Sequence, residues 1–269
     1  HFPSGFPQDG WMYMDVWQET FPVGFAAVDR SDCLTLAGTF DFFQEAAIRH
    51  AEDLGVGRDA MNRTGQGWVL SRISVLLDRR PRQGETITVR SWPRGWDRLF
   101  AIRDYDIQDA SGVPIVRGRS GWIILDINKR RPLRPQALMT PLPLNEGLDA
   151  LPGGAVNLDA RDNLCKAGER RAAYSDIDYN GHVNNARYVQ WLQDILENED
   201  LERARRMRLD INYLSEIKPG EITGLWITPL PAGGNETGGE GLALKAFAFE
   251  GRRQDNEQAV FRAELRTGD

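Results

Sequence analysis

The stretch on which the reading of this chain turns runs from Ser175 to Tyr188, SDIDYNGHVNNARY. Asp176, Asp178, Asn180, Gly181 and His182 fall within seven positions, directly ahead of an apolar stripe. That stripe, Tyr188, Trp191, Leu192, Ile195 and Leu196, has helical spacing. Asn184 or Asn185 is placed to cap the helix. Asp and Asn do build turns and caps, and for Asn184 that role weighs as much as a contact with substrate. Asp178, Asn180 and His182 together exceed what folding requires. A helix N-terminus presents free N–H groups and the positive end of its dipole. Both suit a carbonyl oxygen that gains negative charge during acyl transfer. Gly181 has no side chain, so a substrate could approach the backbone there.

Working outward, the two halves of the chain resemble each other. Ala26-Ala27 and Asp32 recur as Ala172-Ala173 and Asp178, at an offset of 146. Each loop leads into a helical stripe, in the first half Phe43, Ala46, Ala47, His50, Ala51 and Leu54, with Gly55 as the residue after its cap. Strands and Pro/Gly turns follow: Ile73 to Leu77, then Gly84, then Thr86 to Trp92, against Leu209 to Leu214, then Gly220, then Ile222 to Thr228. This second offset is 136. Hairpin-like strands close each half, Leu99 to Ile107 with Val113 to Leu125 and Leu242 to Phe249 with Ala259 to Leu265. At these offsets Asn180 faces Leu34, His182 faces Leu36 and Glu216 faces Arg80, so the polar set belongs to the second half alone. The first half is then free to shape a binding cavity, with Trp68, Val69 and Leu70 as lining or as core. Between the halves, the run 131–155 carries five prolines, which suits an extended tether.

Composition narrows the function. The chain has 269 residues, 41% of them hydrophobic and 27% charged, as in a globular protein with a sizeable core. No apolar run approaches the ~18 residues of a membrane span. A net charge of −6 argues against a nucleic-acid backbone binder. Cys33 and Cys165 are far apart, and His1, His50 and His182 are scattered, so neither a disulfide framework nor a metal site is expected. Together with the lack of a basic-then-apolar start, this predicts a reducing, cytoplasmic location. The densest arginine region is Arg72, Arg79, Arg80, Arg82, Arg90, Arg94 and Arg98, a candidate basic patch for an acidic partner.

The pattern Asp176-x-Asp178-x-x-Gly181-His182-Val183-Asn184-Asn185-x-x-Tyr188 resembles the signature of the hotdog-fold thioesterases. With Phe43 to Ala47, Trp68 to Arg72 and Asp97 to Phe100, the whole chain resembles a tandem acyl-acyl carrier protein thioesterase. The resemblance implies an α+β double hotdog, each half an antiparallel β-sheet wrapped around a central α-helix. It divides the chain into an N-terminal hotdog over 1–140 with the acyl cavity, a linker over 141–155 and a catalytic C-terminal hotdog over 156–269. It implies catalytic roles for Asp178, Asn180, His182 and Glu216, and substrate contacts at Gly181, Val183, Asn184, Trp68 and Arg72. No metal or other cofactor is implied. The partner would be an acyl carrier protein bearing a phosphopantetheine-linked chain, with no nucleic acid or membrane span and a possible homodimer.

The implied reaction frees a fatty acid from the carrier and ends fatty acid synthesis. Glu216 or Asp178 would activate water with His182 in the network, Asn180 would position water or carbonyl, and direct attack by Asp178 is an alternative route. Plant members carry a cysteine after the glutamate; here Ile217 stands there, which excludes a cysteine nucleophile at that site. An acyl-CoA thioesterase, a non-catalytic acyl-binding module and, more weakly, a hydratase are the rival readings.

Overall fold

A computed structural model describes residues 15–231 and 245–268. His1 and residues 242–244 of one expected strand lie outside the described residues.

In the first half, β1 (Trp17–Pro22) precedes α1 (Leu36–Asp53), a short α2 (Arg58–Arg63) and four long strands. These are β2 (Gln66–Leu77), β3 (Thr86–Asp97), β4 (Phe100–Gln108) and β5 (Pro114–Asp126), followed by a three-residue β6 (Arg131–Leu133). The second half repeats the plan: β7 (Cys165–Arg171), α3 (Asn185–Gln193), a short α4 (Asn198–Glu202), β8 (Arg206–Tyr213), β9 (Ile222–Leu230), β10 (Lys245–Arg253) and β11 (Ala259–Gly268). Ten strands form one antiparallel sheet in the order β1-β3-β4-β5-β2-β8-β11-β10-β9-β7, with β6 paired to the end of β5. The order is the same plan read outward from its centre in both directions. The fold is the α+β double hotdog that the resemblance implies.

Local sequence explains the ends of the helices. The Thr35 hydroxyl accepts from Gly38 N–H to cap α1, and Asn184 Oδ1 accepts from Ala186 N–H to cap α3. Gly55 ends the first helix at φ +70°, a left-handed position that glycine adopts without strain.

The repeats join where β2 meets β8, Arg72 to Leu77 pairing with Asn212 to Met207. Ile73 pairs with Ile211 and Val75 with Leu209. At the 136 spacing these are each other's equivalents, so an internal two-fold axis passes through the Ser74–Asp210 pair. The helices cross this axis antiparallel: Ala37 N–H donates to Gln193 Oε1 (2.9 Å), and Arg187 pairs with Asp41 (2.7 Å). Phe43, Tyr105, Tyr188, Leu209 and Phe261 belong to one apolar core that spans both halves.

The structure corrects the sequence alignment of the halves. The capping residues Thr35 and Asn184 are 149 positions apart, as are the bridges Val28–Leu34 and Ile177–Val183. The 146 spacing rested on two alanine pairs that are not equivalent. Asp178 therefore corresponds to Asp29, Asn180 to Ser31 and His182 to Cys33, rather than to Asp32, Leu34 and Leu36.

The Pro-rich segment also differs from a free tether. It straps across the outer face of the sheet, strand by strand. Trp92 Nε1 on β3 donates to Leu148 O (3.0 Å), Asp104 on β4 accepts from Ala150 N–H (2.8 Å), and Arg119 on β5 pairs with Asp149. Ser74 on β2 then accepts from Val156 N–H (3.1 Å), and Asn212 on β8 accepts from Leu158 N–H (2.7 Å). Asp104 is fully buried under this strap and bonded twice by Arg119, which keeps its charge satisfied.

Close packing of α1 on the sheet depends on Gly118 of β5. A Cβ there would sit 2.5 Å from Phe43 Cε2, and Phe43 is itself stacked on Tyr105 at 4.6 Å. Gly118→Ala should destabilise the fold by about 1–3 kcal/mol through overpacking, read as a lower melting temperature. An unchanged melting temperature would show that the helix yields freely.

Candidate active site

Each repeat carries the same turn ahead of its helix. In the second, Asp178 Oδ1 accepts from Asn180 N–H (2.8 Å) and Oδ2 from Asn180 Nδ2 (3.3 Å). In the first, Asp29 Oδ1 accepts from Ser31 N–H (2.9 Å) and Ser31 Oγ (2.6 Å). The tip residue has positive φ in both, Gly181 at +82° and Asp32 at +63°. Glycine serves this turn at little cost.

A backbone hydrogen bond then ties each turn to the loop after the following strand, Val183 N–H to Ile217 O and Leu34 N–H to Pro81 O, both 2.9 Å. This tie sets Glu216 beside His182. Glu216 Oε2 lies 3.1 Å from His182 Nε2, and Glu216 Oε1 accepts from Arg130 Nη2 (3.2 Å). In the first repeat the equivalent of Glu216 is Arg80. Its buried guanidinium pairs with Asp29 and donates to the carbonyls of Cys33, Leu34 and Leu201. Burial alone would raise the Asp29 carboxyl, but Ser31 and Arg80 outweigh it and hold the group below its usual range. One copy of the motif is therefore sealed by a buried ion pair, and the other is open with an acid and an imidazole in contact.

The open copy borders a cavity of about 690 Å³. Asp178, Asn180, His182, Asn185 and Glu216 form its polar wall, with the apolar Val183 among them. The first repeat supplies much of the apolar remainder, including Ala47, Ile48, Met61, Trp68, Leu70 and Trp122. The Trp68 indole donates to Val56 O (2.9 Å), which turns its ring into the wall. Tyr213 O–H donates to Asn185 O (3.0 Å), anchoring the start of α3, and burial keeps this phenol protonated.

Gly181, Asn184 and Arg72, three of the expected substrate contacts, are not among the residues that line this cavity. Gly181 forms the turn tip outside the lining. Asn184 spends its side-chain oxygen on the helix cap. Arg72 stacks over Phe100 at 4.3 Å, also outside the lining. Ile217 is buried and accepts the Val183 N–H. Cys33 lies in the sealed turn and Cys165 is exposed on the edge strand β7.

The arginine region is likewise no free patch. Arg79 pairs with Glu85, Arg80 with Asp29, Arg90 with Asp106 and Arg94 with Asp149. Sequence reading missed Arg58, Arg103 and Arg130, which reach the cavity from α2, β4 and the β5–β6 turn. Their only signal was the charge itself, on segments that the fold alone brings together. Among the described residues no cluster of His, Cys, Asp or Glu could hold a metal ion, and no helix is long and apolar enough to cross a membrane.

Two family models match in tandem, the acyl-ACP thioesterase N-terminal domain over residues 14–137 and the C-terminal domain over 163–248. The chain belongs to the acyl-ACP thioesterase family. It is 24% identical to a chloroplastic palmitoyl-acyl carrier protein thioesterase of Cuphea hookeriana, over 81% of this chain and 56% of that protein. The chain spans about half the length of the curated relatives it matches. An acyl-ACP thioesterase from Bacteroides thetaiotaomicron aligns at a TM-score of 0.75 and 25% identity, covering 93% of this chain and 97% of that one. The fold is also shared with the 12:0-ACP thioesterase from Umbellularia californica, at a TM-score of 0.74, 18% identity, and 98% and 100% coverage.

Behind the cavity-lining Arg103, His50 on α1 is buried between Arg103 and Asp15, with Nδ1 3.2 Å from Arg103 Nη1 and Nε2 3.1 Å from Asp15 Oδ1. Burial and then the guanidinium hold its imidazole below the usual pKa, outweighing Asp15. The unfolded chain, with His near ~6.5, then binds more protons than the folded one just below that pH. The stability from neutral His50 should be complete above about pH 6.5 and fall as pH drops through the folded value. Melting temperatures between about pH 5 and 7 should show this limb, and His50→Gln should flatten it. An identical slope in the variant would contradict the assignment.

Proposed function

We propose that this chain hydrolyses fatty acyl-acyl carrier protein to free fatty acid and holo carrier protein, ending chain synthesis. The observation that carries the reading is the His182–Glu216 contact at 3.1 Å, on the wall of a cavity lined largely by the other repeat. In this reading the first repeat, over 1–140, holds the acyl chain, residues 141–155 link the repeats, and 156–269 supplies the chemistry.

Glu216, with His182 beside it, takes the proton of a water as its oxygen attacks the thioester carbon. The tetrahedral oxyanion is held by the Asn185 N–H at the first position of α3, a donor that no described residue occupies. The carbon–sulfur bond then breaks, and the thiolate leaves with the proton returned through His182. A thiol with an ordinary pKa of ~8.5 is a good leaving group, so strong acid assistance is not required. Asp178 fixes the turn, as Asp29 does in the sealed repeat, and directs Asn180 toward water or carbonyl. Both Asp178 oxygens are engaged by Asn180, which favours the water route over direct attack by this carboxylate.

His182→Ala and Glu216→Gln should each lower kcat on acyl-carrier substrate by about 10²–10⁴-fold, with circular dichroism and melting temperature unchanged. A folded His182→Ala protein with near-normal turnover would overturn the reading. Asp178→Ala should lose turnover as well, with some loss of stability from its turn.

The carrier partner is supported by a basic rim on one side of the cavity. Arg58, Arg63, Arg130, Arg131 and Arg134 are all exposed there, on α2 and the segment around β6. The Ile127 N–H bond to Gly65 O (3.0 Å) holds these two segments together. Such a rim suits a phosphopantetheine phosphate on an acidic protein. Replacing Arg131 and Arg134 by Glu should raise KM for acyl-carrier substrate about ten-fold at low salt, with the effect shrinking at high salt. An unchanged KM, or equal rates on matched acyl-CoA, would favour the coenzyme A ester as substrate instead. The two repeats already form within one chain the pair that a single repeat would form as a homodimer, so the reaction needs no second copy. The free Cys33 and Cys165 support a reducing, cytoplasmic location.

A further inference from the structure

Three arginines are buried among the described residues, Arg80, Arg103 and Arg119. Arg80 and Arg119 each pair with a carboxylate, Asp29 and Asp104. Arg103 does not. It is 8% exposed, lines the cavity, and among the described residues has no carboxylate within ion-pair distance. Its Nη1 donates to Ser91 Oγ (3.0 Å) and faces His50 Nδ1 (3.2 Å); Asp15 is reached only through the far side of the imidazole. A guanidinium carries five N–H donors, and the partners named here engage a single nitrogen.

The position of Arg103 relates it to the acyl chain. The antiparallel helices set residues 37 and 41 of α1 against 193 and 187 of α3. The α1 residues that line the cavity, Gln44, Ala47, Ile48 and Ala51, therefore run on past the start of α3 for about 10 Å at 1.5 Å per residue. A chain whose thioester sits at His182 follows this face toward Arg103 in the wall.

Filling that wall with a plain alkyl chain strips water from charged donors and offers nothing in return, which is costly. An oxygen on the chain would replace the water. We propose that Arg103 makes the cavity selective for acyl chains carrying an acceptor oxygen, a keto or hydroxyl group, on the part lodged against β4. The proposal rests on the thioesterase reading above and names its substrate class.

The test measures kcat/KM of the full chain on carrier-linked acyl thioesters of one length, one plain and the others with a keto group moved stepwise along the chain. At least one position beyond the carbons next to the thioester should exceed the plain chain ten-fold or more, the discrimination typical of a site that leaves donors unpaired with the wrong ligand. Arg103→Met should reduce that ratio at least ten-fold, by slowing the keto substrate and speeding the plain one, and Arg103→Lys should restore part of it. A wild-type series with no preferred position, or a preference untouched in folded Arg103→Met, overturns the inference. If Arg103→Met does not fold, Ser91→Ala, which removes one partner of Nη1, should shift the ratio, and an unchanged ratio overturns it. Hydrolysis of none of the thioesters overturns the thioesterase reading instead. Calorimetric binding of matched keto and plain fatty acids then decides on Arg103 by itself, with tighter keto binding supporting it and equal binding overturning it.

Discussion

One backbone hydrogen bond, Val183 N–H to the Ile217 carbonyl, organises the site. It joins the turn before α3 to the loop after β8, two segments more than thirty residues apart in sequence. Backbone amides must be paired when buried, and Val183 and Ile217 are both buried, so the bond is an obligation of the fold before it is a device of chemistry. Once it forms, the neighbours on either side, His182 and Glu216, are in contact. The first repeat makes the equivalent bond from Leu34 to Pro81 and gains no such pair, because its neighbours are Cys33 and Arg80. The scaffold supplies proximity twice, and side-chain identity decides whether it joins an acid to an imidazole, as at Glu216 and His182, or a guanidinium to a carboxylate, as at Arg80 and Asp29.

The β2–β8 pairing settles what the open turn faces. An internal two-fold through Ser74 and Asp210 sets α1 antiparallel to α3. The opening of the polar turn is thereby aimed along the C-terminal half of α1, whose residues are small or apolar at Ala47, Ile48 and Ala51. The two halves thus differ in their burden. The first carries a longer helix and most of the cavity wall; the second keeps the open turn. Arg80 closes the unused turn from within, which spares the first repeat an exposed anion and fixes the loop that α1 springs from.

Much of this was legible in the sequence, for physical reasons that can be named. The α3 motif stood out because its polar residues are dense, adjacent and followed by a clear helical stripe. The long strands showed because apolar runs and Pro/Gly turns bracket them. The edge strands β1 and β7 escaped notice: β7 reads CKAGERR and has almost no apolar alternation, since both its faces are largely exposed. The repeat offset was misplaced by three residues because Ala26-Ala27 and Ala172-Ala173 look alike, whereas the conserved geometry lies in the turn and the caps. The arginine-rich stretch is not a free patch, because Arg79, Arg80, Arg90 and Arg94, near in sequence, each meet an acid near in space. Arg58, Arg103 and Arg130 lie on separate elements, and no local pattern announces a residue that only the tertiary fold delivers.

In the proposed reaction, ester and acid meet at the open turn while the acyl chain lies along α1. The decisive measurement is the structure of a complex with a carrier-linked acyl analogue in which a non-hydrolysable amide replaces the thioester. The analogue's carbonyl carbon should lie within about 4 Å of a water held by Glu216, near-attack range, with its chain against Ala47, Ile48 and Ala51. A carbonyl seated at the Asp29–Arg80 turn, or a chain lodged outside this cavity, would contradict the proposed reaction.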